Sequence, residues 1–111
     1  MTPTTQEKIS AKFREIRADL KQITDALIQQ AKTQNREDYK PNSLLREYYE
    51  LNGKTTHTFD EWKDMNYSIR KGEHAYRFWG KPVNLDNGKH YCPVIFLFSQ
   101  DQVQVNAVAA N

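Results

Sequence analysis

Cysteine is almost absent from this 111-residue chain. The lone thiol, Cys92, excludes an intramolecular disulfide. It precedes Pro93 and an apolar run, which reads as a buried, unreactive position. Long apolar runs are lacking too. None reaches the roughly 18–20 residues of a membrane span, so no membrane partner is expected. Residues 1–4 (Met-Thr-Pro-Thr) are polar and lead straight into a charged helical pattern, unlike a secretory leader. The expected location is cytoplasmic. His57, His74 and His90 are the only histidines, and none lies in a His-Glu-x-x-His helix or a Cys/His cluster. No metal site is therefore expected. The four glycines sit in turn-like contexts and form no phosphate-cradling loop. There is no nucleophile elbow and no paired-carboxylate pattern. A Cys92–His dyad is opposed by the same Pro93 and apolar run. The expectation is a non-catalytic chain without a cofactor.

What is present is a globular composition, 38% hydrophobic and 27% charged, without repeats or low-complexity tracts. The length fits one domain, residues 1–111. A net charge of +2 does not mark a nucleic-acid binder by itself. Any basic surface must be local.

Residues 4–34 predict one long helix within a first segment, 1–35. Ile9, Phe13, Ile16, Leu20, Ile23 and Leu27 form a stripe that Ile28 and Ala31 widen. It can lie on a core, or pair with a second chain as a coiled-coil seam. Residues 33–42, with Pro41, read as a connection. A second helix is predicted at 43–52, with Gly53 as its stop. In "TFDEWKDM", Thr58 and Glu61 form a capping box. Phe59, Trp62 and Met65 are expected to point inward, and Asn66 to end this helix.

Strands are predicted at 67–70, 74–83 and 90–98, with a turn at Lys71-Gly72 and a hairpin turn at Asn87-Gly88. Pro82 and Pro93 predict a bulge or a frayed ladder near the loop. "VIFLF" (94–98) reads as a central strand covered on both faces. Ser99 with Gln102 suggests a final helical turn. The tail, 105–111, looks weakly ordered, whether a natural end or the start of a linker.

A two-residue turn would set Trp79 opposite Phe96 and Arg77 opposite Phe98. One face then carries Arg77, Trp79, Lys81, Val94, Phe96 and Phe98. The other carries Tyr76, Phe78, Ile95 and Leu97, and is expected under the long helix. Between residues 66 and 91 five Lys and Arg accompany two acids, a local charge of +3. Cations among aromatics suit single-stranded nucleic acid, because bases stack on rings while cations follow phosphates. The same side chains can equally be core rings and cations with solvated heads.

"TFDEWKDMNYSIRKGEHAYRFWGKP" resembles the N-terminal domain of the ArdC antirestriction family. The matching residues are Thr58, Phe59, Trp62, Lys63, Ile69, Arg70, Lys71, Gly72 and Glu73. "VIFLFSQDQV" is similar to a later family segment through Phe98, Ser99 and Gln102. The likeness covers about residues 55–104. Two further family segments, Trp-Arg-x-Pro-Trp-like and Asn-x-x-Thr/Ser-Gly-like, are not found, and Asn66 stands where Gly is frequent.

The resemblance implies a single-stranded-DNA-binding domain of a mobile-element or phage-type protein. Larger relatives add a zinc metallopeptidase-like domain, for which no His-Glu-x-x-His is present here. The resemblance also implies a site. Arg70, Lys71 and Gly72 would hold a phosphate at a turn. Lys63, Arg77 and Lys81 would extend the track, and Trp79 with Phe96 or Phe98 would stack bases. The expected fold is α+β, a long helix and shorter helices on a small antiparallel sheet with a β-hairpin. The alternative is a protein–protein module that pairs, with itself or a partner, through the long helix. An inhibitor that contacts a restriction enzyme is a third reading.

Overall fold

The computed structural model describes the backbone of residues 5–107 and the side chains from residue 11 onward. It is α+β, with three α-helices and small antiparallel sheets among the described residues. Helix α1 (Thr5–Thr33) is the long helix, 29 residues or about 44 Å. Its apolar stripe is not buried along its whole length. Leu20 is 1% exposed, whereas Phe13 is 54% exposed. Among the described side chains of α1, those from 11 to 15 are exposed and burial begins at Ile16. The radius of gyration, 17.4 Å, agrees with a projecting helix. A compact chain of this length would have about 13 Å.

Helix α2 (Pro41–Tyr48) corrects the reading of its neighbourhood. Pro41 opens the helix rather than sitting in a loop, because the first helical turn needs no N–H from it. The helix also stops before Gly53. Glu50 adopts φ +60°, its N–H donates to the Glu47 carbonyl, and the Leu51 N–H donates to the Arg46 carbonyl. That is a Schellman ending, and it drops Leu51 into the core at 1% exposure. Asn35 (φ +55°) ends α1 by the same pair of bonds.

Strand β1 (Thr56–His57) leads into α3 (Phe59–Asp64), whose Thr58–Glu61 capping box is formed in both directions. Asn66 follows at φ +67° and ends the helix as expected. Of Phe59, Trp62 and Met65, only Trp62 is buried. Phe59 and Met65 are 54% and 44% exposed, a correction to the expected inward row. A six-residue helix on the surface presents one residue squarely to the core. Positions three before and after lie about 60° to either side.

The strands are β2 (Tyr67–Ile69), β3 (Tyr76–Trp79), β4 (Val83–Asn84), β5 (His90–Tyr91) and β6 (Val94–Ser99). A 3₁₀ turn (Gln100–Gln102), predicted from Ser99 and Gln102, precedes β7 (Val103–Val105). The main sheet has order β1-β6-β3, and β2 pairs with β7. Strands β1 and β7 carry no local signal strong enough to predict. Val105 and Asn106 are ordered by Tyr67 and Asn66. The rest of the tail, 108–111, lies outside the described residues.

The hairpin register differs from the expected one by two residues. Arg77 lies opposite Phe96 and Trp79 opposite Val94. The loop is a three-residue one, Asp86-Asn87-Gly88, with Gly88 at φ +79° and Leu85 bonded to Lys89. This is the type I turn plus bulge geometry. It slips the ladder by one. A second slip follows where Lys81 and Pro82 stand opposite Cys92 alone, between the Gly80–Pro93 and Val83–Tyr91 pairings. Two one-residue slips restore the original face assignment. Arg77 and Phe96 therefore share a face, and Tyr76, Phe78, Ile95 and Leu97 share the other.

The core is Leu20, Leu45, Leu51 and Phe78, with Ile23, Leu27 and Tyr49 around it. Full burial of each such side chain contributes about 1.5–3 kcal/mol. The free edge of β3 is covered by α2. The Asn42 side chain accepts from the Trp79 N–H and donates to the Trp79 carbonyl. The Tyr49 hydroxyl donates to the Arg77 carbonyl. These bonds occupy an edge that would otherwise be open to another strand.

Candidate nucleic-acid interface

Arg70, Lys71, Gly72 and Glu73 form a turn closed by the Glu73 N–H and the Arg70 carbonyl, 3.2 Å. Gly72 sits third, at φ +88°, as a type II turn requires. A Cβ there would meet no atom within 4 Å, so the turn faces open space. Its backbone is anchored behind. The Arg70 N–H donates to the Gln102 carbonyl at 2.8 Å. Arg70 Nε donates to the Val103 carbonyl at 3.3 Å.

Gln102 is the hub of this corner and is 6% exposed. Its Oε1 accepts from the Ser99 N–H. Its Nε2 donates to the His74 carbonyl and to the Glu73 carboxylate. The turn's one acid, Glu73, therefore accepts from a buried amide, and both it and Lys71 are exposed. Gln102 also brings the turn to the end of β6, beside Phe98. The Phe98 carbonyl accepts from the Trp62 indole N–H, which places α3 and its exposed Lys63 at the same end of the sheet.

On the sheet, Arg77 lies directly opposite Phe96, and Phe98 follows two residues on. All three are half-buried. Phe96 and Phe98 are not among the side chains packed on the core cluster. Among the described residues, Lys63, Arg70, Lys71, Arg77 and Lys81 form no ion pair with a carboxylate. Arg36 and Lys54, by contrast, are paired with Glu47 and Asp101. Those bonds raise the pKa of both cations.

Two of the expected site residues stand elsewhere. Trp79 is not an open stacking platform. Its indole N–H donates to Thr24 Oγ1 in α1 at 2.9 Å, and its ring packs on the core cluster with Val94. The expected division, with only the Tyr76–Leu97 face under α1, is corrected accordingly. The indole is large enough to gain more by lying on α1 than by facing water. Lys81 lies in the bulge, where no pairing assigns it to a face.

The sequence reading did not foresee Arg17, which lies near the rings of both Trp79 and Tyr91, or Tyr91 itself, which lines one cleft with Trp79. It also did not foresee that Cys92 is half-buried in a cleft rather than inside the core. Nothing local marks these residues, because they meet only when the hairpin folds against α1. Among the described residues no three His, Cys, Asp or Glu side chains converge as a metal site requires. No described helix is long and apolar enough to cross a membrane. No protein-family model, curated protein or solved structure matches this chain.

Proposed function

We propose that this protein is a non-catalytic single-stranded-DNA-binding domain, of the kind the ArdC-like motifs imply. The observation that carries the reading is the open Arg70–Glu73 turn, tied through Gln102 to the end of β6, the strand whose Phe96 and Phe98 share a face with Arg77. Backbone N–H groups beside Gly72 can approach a phosphate closely, with Arg70 and Lys71 supplying charge. Lys63 and Arg77 extend that charge along the strand. Phe96 and Phe98 offer apolar ring surface to unstacked bases. Duplex DNA hides its base faces and gains little from such rings.

The test is fluorescence anisotropy of a labelled single-stranded oligonucleotide at two salt concentrations, with a duplex control. Salt-sensitive binding that favours the single strand is the expected result. Absence of binding at low salt would overturn the reading.

A second reading draws on the exposed part of the α1 stripe. Phe13 is 54% exposed in the middle of an apolar stripe, which suits pairing with a second chain. A mass that rises with protein concentration, without nucleic-acid binding, would favour this reading over the first.

A further inference from the structure

A cleft of about 420 Å³ opens between α1, the start of α2 and strand β5. Its volume lies within the range of small-molecule sites. Trp79, Tyr91, Ile28 and Pro41 give it predominantly apolar walls. Trp79 is a rigid wall, held by Thr24 through its ring and by Asn42 through its backbone. Tyr91 is the open wall, 41% exposed.

A cation lies within reach of both rings. The Arg17 guanidinium carbon is 6.0 Å from the Trp79 ring centre and 5.9 Å from that of Tyr91. Arg17 Nε donates to the Cys92 carbonyl at 3.3 Å. Among the described residues Arg17 has no carboxylate partner. The nearby Lys21 is neutralised by Asp25 at 2.8 Å, so Arg17 supplies the net charge of this part of the rim.

We propose that the cleft is a second nucleic-acid subsite, which takes one unstacked base of a single strand on the Tyr91 ring. Arg17 contacts the adjoining phosphate. The inference rests on the single-stranded-DNA reading above and adds a site on the α1 side of the hairpin. The occupant follows from the charge and the walls together. An uncompensated guanidinium beside exposed aromatic surface matches a base with its phosphate. An apolar peptide would leave Arg17 without an anion. A duplex keeps its bases stacked and cannot enter.

The experiment uses the whole chain and an oligothymidylate carrying 5-iodouracil. Irradiation followed by mass spectrometry is expected to place cross-links on Tyr91 or Trp79. In parallel, Tyr91→Leu is expected to weaken oligothymidylate binding about 5- to 100-fold and to leave binding of an abasic strand unchanged. Arg17→Gln is expected to weaken both. Wild-type binding with cross-links confined to Phe96, Phe98 or the Arg70 turn would overturn the subsite and leave the parent reading intact. Absence of any binding by the wild type would overturn both. Self-association abolished by Tyr91→Leu, without cross-links in the cleft, would assign the cleft to a second copy of the chain.

Discussion

The Gln102 side chain and the His74 carbonyl, 28 residues apart, are joined by a 2.7 Å hydrogen bond. With the bonds to Ser99 and Glu73, this one amide holds the cationic turn against the end of β6. A buried amide with its partners in place is worth more than one bond, because removing it strands each partner.

Gln102→Leu should therefore destabilise the protein by about 2–4 kcal/mol, from an unpaired Ser99 N–H and His74 carbonyl. Urea unfolding is the measurement. Oligonucleotide affinity should fall under conditions where the variant is still folded, since the turn loses its anchor. An unchanged unfolding midpoint would show that these bonds do not support the corner.

Cations and rings should separate in their salt dependence. Arg70→Ala and Lys71→Ala should each weaken single-strand binding and lower the salt slope by somewhat under one. Phe96→Leu and Phe98→Leu should weaken binding with little change in slope. Trp79→Ala should act mainly on stability, at about 3–5 kcal/mol, because its ring is packed on α1. Equal slopes in all the variants would contradict this division.

Glu50 closes α2 from the left-handed region, φ +60°, where a side chain is strained. Glu50→Gly should stabilise the protein by about 0.5–1 kcal/mol, visible as a higher melting temperature. A lower melting temperature would mean that the Glu50 side chain contributes more than its backbone costs.

The Glu61 carboxyl is held below the usual carboxylate range, first by the Thr58 N–H and then by the Thr58 side chain. A carboxyl lowered in the folded state stabilises it above the unfolded pKa. That contribution is lost as pH falls through the folded value. The wild type should therefore lose thermal stability below about pH 4.5, the ordinary glutamate value. Glu61→Gln keeps an oxygen for the cap and should show a shallower acid limb. Identical limbs in the two proteins would exclude this group as a source of the acid sensitivity.

Much of the local architecture is legible along the chain. The α1 stripe, the Thr58–Glu61 cap, the Asn66 stop and the Gly72 turn each follow from residues within a few positions of one another. Hydrogen-bond reach and backbone sterics set them before any tertiary contact forms. The face assignment of Arg77, Phe96 and Phe98 also survives, although the register does not. Two bulge-type slips cancel, and only the parity of the shift decides which side chains share a face.

The remainder depends on contacts between distant segments. Strands β1 and β7 are too short to be recognised until β6 and β2 pair with them. Phe59 and Met65 follow an inward-looking spacing, yet a short surface helix buries only Trp62. The place of Trp79 is a competition between water, a base and α1. Thr24, 55 residues away, decides it with a hydrogen bond that no local pattern announces. Spacing along the chain specifies which groups can face the same way. Burial and long-range hydrogen bonds, which depend on what the rest of the chain brings near, decide which of those groups remain open to a ligand.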